Sequence, residues 1–403
     1  MPELAARSAT MPSSPIRRLV DFALAAEARG TRVHYLNIGQ PDVHSPEPFW
    51  RTVRETTIST LEYSHSAGIP SLRAAAAAHY QSRGISVSAA EILVTNGGSE
   101  ACLLAMLACL NPGDEALVVE PFYANYAGFA VTAGVTLRPL TARIDDDFAL
   151  PSADAIAAAI TPRTRAIIIC NPSNPTGTAY GADTMRAIGE LAVAHDLWLL
   201  GDEVYRDFYY GSEELVSVLQ LPGLDDRAVM LDSASKKFSL CGARVGFLAT
   251  RNEAVVASAL KFAQSRLSAP TLDMMGVEAC LRETGDDYFA AVRAEYQHRR
   301  DTLVAGLRSI PGVRVPRIDG AFYALVELPV DDTDAFCEWM VREFSYQGET
   351  VLMAPASGFY LTPGLGKREV RIAYVLDSAR LTRAVECLLA ALEAYSAVSG
   401  GGR

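Results

Sequence analysis

From about Phe49 to Thr250 the chain alternates between short, unbroken apolar runs and longer stretches of mixed polarity. The apolar runs centre near Ile92, Leu117, Ile168, Leu199, Val229 and Val245. A strand wetted on one face alternates polar with apolar residues, and these do not. Unbroken runs fit strands covered on both faces, as in a parallel sheet between two helix layers. Gly246-Phe247-Leu248-Ala249-Thr250 predicts one more strand, at an edge or reversed. A long helical stretch then runs through Gln297-His298-Arg299-Arg300-Asp301. Over about 310–395, Gly320–Leu325 and Val370–Tyr374 read as strands of a smaller α+β unit, closed by an Ala/Leu-rich helix. At the other end, residues 1–13 read as a mobile arm. Ser14-Pro15 and Gly30 punctuate a first helix with a cap, a first-turn proline and a terminal glycine. The glycine-rich end, Ser399–Arg403, reads as a disordered tail.

The expected fold class is therefore α/β, a mostly parallel central sheet with helices on both faces plus a smaller α+β domain. The expected division is an N-terminal arm and part of the small domain over 1–48, a large domain over 49–295 and a small C-terminal domain over 296–403.

Composition narrows the function classes. The chain has 403 residues, half of them hydrophobic, which is enough for a large core in about two domains. Its net charge is -11, and its basic clusters, Arg17-Arg18 and Arg299-Arg300, are short. That argues against non-specific binding to nucleic acid or anionic membrane. The seven cysteines are dispersed without a CxxC, so they read as reduced thiols of a cytoplasmic protein. The six histidines have no metal-ligand spacing, and no metal is expected. No apolar run approaches membrane-spanning length, and the N-terminus lacks an apolar signal core.

The chemistry sits where the apolar runs end. Ser233-Ala234-Ser235-Lys236-Lys237 follows Ala228–Leu231 and is followed by Gly242-Ala243-Arg244-Val245-Gly246. A lysine at a strand end, flanked by hydroxyls and trailed by an arginine, suits a covalently held phosphorylated aldehyde. The hydroxyls and the guanidinium would hold the phosphate. Asn171-Pro172-Ser173-Asn174-Pro175-Thr176-Gly177, after Ala166–Cys170, is a rigid turn at another strand end, where open α/β sheets bind ligands. Asp202-Glu203-Val204-Tyr205 ends the run Leu197–Gly201. Thr95-Asn96-Gly97-Gly98-Ser99 opens an apolar helix with bare backbone N–H groups, a phosphate site in form. Each segment has a bland reading as a turn, cap or solvated loop. Together they complete one site.

As a set, in this order and spacing, these segments resemble the class I/II aminotransferases, the pyridoxal-phosphate (PLP) family of fold type I that includes aspartate aminotransferase. The resemblance runs from about Ile16 to about Leu392. It implies PLP as cofactor, Lys236 as the Schiff-base lysine and proton shuttle, and Asp202 as partner of the pyridine nitrogen. Tyr205 and Asn174 would bond the ring's phenolic oxygen, with Asn174 also near the substrate. Gly97, Gly98, Ser99, Ser233, Ser235 and Arg244 would form the phosphate cup, and Tyr123 would stack on the ring. Gly39, in Asn37-Ile38-Gly39-Gln40-Pro41-Asp42, and Arg371 would receive the substrate carboxylate. Tyr63, ahead of Gly68-Ile69-Pro70, would reach the phosphate of a neighbouring subunit, implying a homodimer with amino acids and keto acids as substrates. The implied reaction is amino-group transfer between the two. A PLP lyase or β/γ-replacement enzyme on the same scaffold is the alternative, since both begin at the same α-carbon. A sensor built on the same domain is a third reading, disfavoured by the absence of an appended DNA-binding helix-turn-helix.

Four features are left open. Ala243 stands where the family usually carries a large aromatic, with Cys241 two residues before. Lys237 adds a second cation beside Lys236. The two could open space or alter charge around the cofactor and so admit a larger or anionic substrate. Arg266 is a candidate for binding a substrate side chain or for a structural or phosphate-holding role. The aromatics of Ala354–Gly364 either shape the pocket or pack.

Overall fold

The computed structural model describes residues 2–213 and 215–400, the last three of these as backbone. The strands are β1 (Arg32–Tyr35), β2 (Ile92–Thr95), β3 (Glu115–Glu120), β4 (Thr136–Thr141), β5 (Thr164–Cys170) and β6 (Trp198–Asp202). They continue as β7 (Ala228–Ser233), β8 (Gly246–Ala249), β9 (Tyr323–Glu327), β10 (Glu349–Leu352), β11 (Ala354–Pro355) and β12 (Glu369–Ala373).

Seven strands build the central sheet in the order β2-β8-β7-β6-β5-β3-β4. Pairing is parallel from β7 through β4, and β8 is antiparallel to both its neighbours. The residues of β2 and β7 are buried throughout, as their unbroken apolar runs require. The reversed strand expected at Gly246–Thr250 is present, and it lies inside the sheet rather than at an edge. β4, Thr136-Leu137-Arg138-Pro139-Leu140-Thr141, was not legible as a strand because it holds an arginine and a proline. It is an edge strand, where proline's missing N–H costs no ladder bond.

The reversal of β8 has a direct consequence. The carboxyl ends of β2, β5, β6 and β7 lie at one edge of the sheet. Because β8 runs the other way, its amino end, and Arg244 just before it, arrive at that same edge. The register fixes this: Gly246 pairs with Thr95 on one side and Ser233 on the other.

The smaller unit holds an antiparallel sheet β11-β12-β9 and a parallel pair β1-β10. One hydrophobic core joins the N-terminal segment, from Leu19 to Leu36, to residues from Val292 to Leu392. The cores on the two faces of the central sheet are separate from it. The boundary expected at 295/296 falls inside a continuous helix, Asp286–Arg308. Tyr296 and Leu303 of that helix enter the small core while Phe289 enters the large one. Within the expected arm, Ala6–Thr10 forms one short helix, and the first long helix is Val20–Ala28. Of the expected tail, Ser399 and Gly400 close the backbone of the helix Ser378–Gly400, and 401–403 lie outside the described residues.

β8 reaches the site edge only because Gly246 lacks a side chain. A Cβ there would lie 2.4 Å from the Gly97 carbonyl carbon and 2.6 Å from the Gly98 nitrogen. Both are backbone atoms that cannot rotate away. Gly246→Ala is therefore expected to cost about 1–3 kcal/mol through overpacking. Urea midpoints would show it against Gly242→Ala, whose Cβ meets nothing within 4 Å.

Candidate active site

The cleft floor is the start of the helix Gly98–Cys109. Gly97 precedes it at φ 79°, a left-handed conformation that favours glycine. A Cβ on Gly97 would sit 2.2 Å from Nη2 of Arg244, so the guanidinium lies against bare backbone. Arg244 also donates to the Cys241 carbonyl at 2.8 Å. Ser233 caps the next turn, Ala234–Lys237, its Oγ accepting from the Ser235 N–H at 3.1 Å and lying 2.8 Å from Ser235 Oγ. Helix-start N–H groups, a guanidinium and two hydroxyls thus face one spot, a donor set suited to a phosphate.

Deeper in, Asp202 at the end of β6 is 4% exposed and accepts a hydrogen bond from Tyr126. Burial pushes its carboxyl up to about 6, against the Tyr126 bond, which pulls it down. No cation pairs with it among the described residues, so a cationic ring nitrogen would satisfy it. Tyr205 Oη lies 2.9 Å from Tyr323 Oη and 3.4 Å from Asn174 Nδ2. Tyr123 lines the cleft, and its Oη accepts from Asn125 Nδ2 at 2.7 Å.

Lys236 closes the constellation. Its Nζ donates to the Gly39 carbonyl at 2.8 Å and lies 3.7 Å from Cys241 Sγ. Gly39 is packed tightly in turn: a Cβ there would strike Tyr323 Oη at 1.7 Å. Arg371, 1% exposed, donates from Nη1 to Asn174 Oδ1 at 2.9 Å and from Nη2 to the Asn37 carbonyl at 2.6 Å. Its guanidinium carbon lies 4.4 Å from the centre of the Tyr323 ring and 5.0 Å from that of Phe359. Nε has no partner, and burial pulls the group's pKa down. A buried guanidinium with neutral partners is a receptor for an anion.

These side chains line one cleft of about 620 Å³. It brings together Gly39, Gly98, Ser99, Tyr123, Asn174, Asp202, Tyr205, Ser233, Ser235, Lys236, Arg244 and Arg371. Gly97 lies beneath its floor. Tyr63 does not line it and is 82% exposed. Tyr126 and Tyr323 were missed at the sequence level. Tyr126 follows Tyr123 at helix spacing, which is a weak signal, and Tyr323 sits in a strand that carries no motif.

The open features resolve as structure. Lys237 points away from the cleft and is buried against Asp232, Nζ to Oδ2 2.6 Å. Ala243 is buried in the core and does not line the cleft. Neither side chain lines the cleft. Arg266 pairs with Glu100 at 2.9 Å and donates to the Val94 carbonyl at 2.9 Å, so its role is to hold the helix start. In the 354–364 segment Phe359 is fully buried against Arg371, and Tyr360 bonds Glu369 at 2.6 Å. Among the described residues, His34, Glu349 and Cys387 lie close enough to share a metal, but Arg383 already pairs with Glu349 at 3.0 Å.

The model of the family "Aminotransferase class I and II" matches residues 32–388. The chain belongs to the class I and II aminotransferases. Arginine–pyruvate transaminase of Pseudomonas aeruginosa is 32% identical over 76% of this chain and 78% of its own length. Aspartate/prephenate aminotransferase of Thermus thermophilus is 30% identical over 90% of this chain and 92% of its own. A solved single mutant of Thermus thermophilus aspartate aminotransferase superposes with a TM-score of 0.88 at 28% identity, over 97% of this chain and 100% of that one. The fold is fold type I. The protein is an enzyme, an aminotransferase that uses PLP, and the lyase alternative is not favoured by these relatives.

A pH dependence follows from Asp202. Its folded pKa of about 6 is raised from 3.8, so the folded chain holds the proton more tightly than the unfolded chain. Between those values the unfolded state has lost the proton and the folded state has not. Stability of the cofactor-free protein therefore falls as pH rises through that window, by at most about 3 kcal/mol. Asp202→Asn lacks this loss, so the difference in urea midpoint between the two proteins is expected to move in the variant's favour from pH 4 to pH 7. Bound cofactor, by supplying a cation, should shrink the difference.

Proposed function

We propose that this aminotransferase uses Lys236 as the amine that bears the cofactor's aldehyde and later moves a proton at the substrate α-carbon. The observation that carries the reading is the convergence of Lys236, Asp202 and Arg371, from three distant segments, on one cleft. When bound, PLP supplies the electron sink that lets a bond at that carbon break. Asp202 would sustain it by holding a positive charge at the ring nitrogen. Tyr205 and Asn174 would bond the phenolic oxygen, Tyr123 would cover the ring face, and the Gly97–Ser99 turn with Ser233, Ser235 and Arg244 would hold the phosphate.

Arg371 would clamp the substrate α-carboxylate, with Asn174 beside it and Gly39 shaping the loop above. The Asn37 carbonyl and Asn174 fix two of the guanidinium's donors, which sets its orientation before substrate arrives. That placement leaves Lys236 free to act as general base and acid, typically worth ~10²–10⁴-fold in rate. Arg17 lines the same cleft and has no ion-pair partner among the described residues. A cation there favours substrates that end in an acidic group. The relatives' names couple arginine with pyruvate and aspartate with prephenate, so a substrate panel should include all four compounds.

The finer reading extends to assembly. Ile58, Leu61 and Tyr63 are 43%, 59% and 82% exposed along one segment. A second copy covering it would make a homodimer and bring Tyr63 to the neighbouring phosphate. The cytoplasmic assignment is supported by seven unpaired cysteines. No described helix is long and apolar enough to cross a membrane.

The reading is tested first by the amino-acid half-reaction followed spectroscopically across the panel, then reversed with a keto acid. Borohydride reduction should leave the pyridoxyl group on Lys236, and its appearance on Lys237 or Lys261 would reject the assignment. Arg371→Leu should lower kcat/KM by hundreds-fold or more, since charge-assisted bonds are worth roughly 1.5–3 kcal/mol each. An effect below about tenfold would place the carboxylate elsewhere. Mixing Tyr63 and Lys236 variants, each inactive alone, should recover partial activity in heterodimers. An active monomer in sedimentation would refute the shared site.

A further inference from the structure

We infer that Lys237, Asp232 and Asp207 form a buried ionic clamp that positions Lys236, a role for three residues that never face the cleft. Lys237 Nζ lies 2.6 Å from Asp232 Oδ2 and 3.6 Å from Asp207 Oδ2. Lys237 and Asp232 are each 4% exposed at the side chain, and Asp207 is 9%. Tyr80 donates to the same Asp232 oxygen at 2.8 Å, and the Ser233 N–H donates to Oδ1 at 2.7 Å. Arg83 stands 3.4 Å from Asp207 on the outer side.

Each member lies within two residues of a cleft residue. Asp232 precedes Ser233 on β7, and successive strand residues face opposite ways. Lys237 follows Lys236 on a single helical turn, Ala234–Lys237, about 100° further round. Asp207 stands two residues beyond Tyr205, in the turn Arg206–Phe208. The clamp thus joins, from behind, three segments whose other faces present the hydroxyls, the lysine and the tyrosine of the site.

One isolated helical turn has little stiffness of its own, because helix nucleation is unfavourable. Rolling that turn would swing Lys236 Nζ away from the Gly39 carbonyl. An ammonium buried between two carboxylates resists such a roll more than apolar packing does, since any displacement strands a charge in the interior. A buried ion pair adds little stability over well-packed apolar groups. Its function is the direction it imposes on the neighbouring lysine.

The inference rests on Lys236 as the cofactor-bearing residue, which peptide mapping of the parent enzyme tests separately. Holoenzymes of the parent, Lys237→Met, Lys237→Arg and the double variant Asp232→Asn/Lys237→Met would be compared per loaded site, counted as pyridoxyl-Lys236 after borohydride. Lys237→Met is expected to lower kcat per loaded site about 10- to 100-fold with little change in KM, the cost of a misplaced reacting group. The pH midpoint of the cofactor's visible absorbance should shift as well, and Lys237→Arg should restore part of both. The double variant leaves no new unpaired charge at this pair, so it keeps the question open to test if Lys237→Met does not fold. It is expected to stay slow. A double variant with the parent's rate per site and the parent's absorbance midpoint would overturn the clamp and leave Lys237 a stabilising residue only.

Discussion

Two buried charges of opposite sign, Asp202 and Arg371, face the same cleft, and neither has an ionic partner among the described residues. Removing such groups from water is costly unless hydrogen bonds or a countercharge compensate. Here compensation is partial. Asp202 keeps the Tyr126 hydroxyl and Arg371 keeps an amide oxygen and a carbonyl, while its Nε keeps nothing. The two groups therefore call for complementary charges: a cation against the carboxylate and an anion against the guanidinium. A protonated pyridine ring and an α-carboxylate meet those two demands.

The sheet makes that arrangement possible. Parallel strands that end level deliver a residue each to one edge, and the helices that follow them deliver N–H groups. The one reversed strand delivers an arginine instead, because its beginning lies where its neighbours end. Close approach is needed at that point, and Gly97 and Gly246 provide it. The small unit then supplies the buried guanidinium. Arg371 on β12 is fixed by Asn37, which follows β1, and by Asn174, from the turn after β5. Its hydrogen bonds therefore tie the small core to the large sheet across the cleft.

Lys236 and Lys237 show how far position outweighs identity. They are adjacent and identical in chemistry, and they face opposite surroundings. One amine faces a backbone carbonyl in an open cleft. The other is sealed between two aspartates, with the Tyr80 ring centroid 5.7 Å away. The helical turn that separates them by about 100° decides which one faces the cleft.

The amino-acid sequence determined most of the fold by itself. Unbroken apolar runs can be covered strands and little else, and polar motifs at their ends mark the ligand-binding edge. Lys236, Asp202, Asn174 and the glycine pair were legible for that reason, since strand end and motif are both local signals. Arg371 was legible only through its resemblance, because nothing near it in the chain announces a buried anion receptor. Other features were decided by tertiary structure alone. β4 is a strand because an edge tolerates Pro139. β8 fits inside the sheet because Gly246, which has no side chain, packs against the backbone of Gly97 and Gly98. Tyr126 and Tyr323 enter the site through partners 76 and 118 residues away. Arg266 and Lys237 serve structure rather than the cleft because Glu100 and Asp232, brought close by packing, claim their charges. Local pattern reports which residues are buried and which turn. It carries no record of which distant group waits on the other side, because that pairing exists only after the segments between have folded.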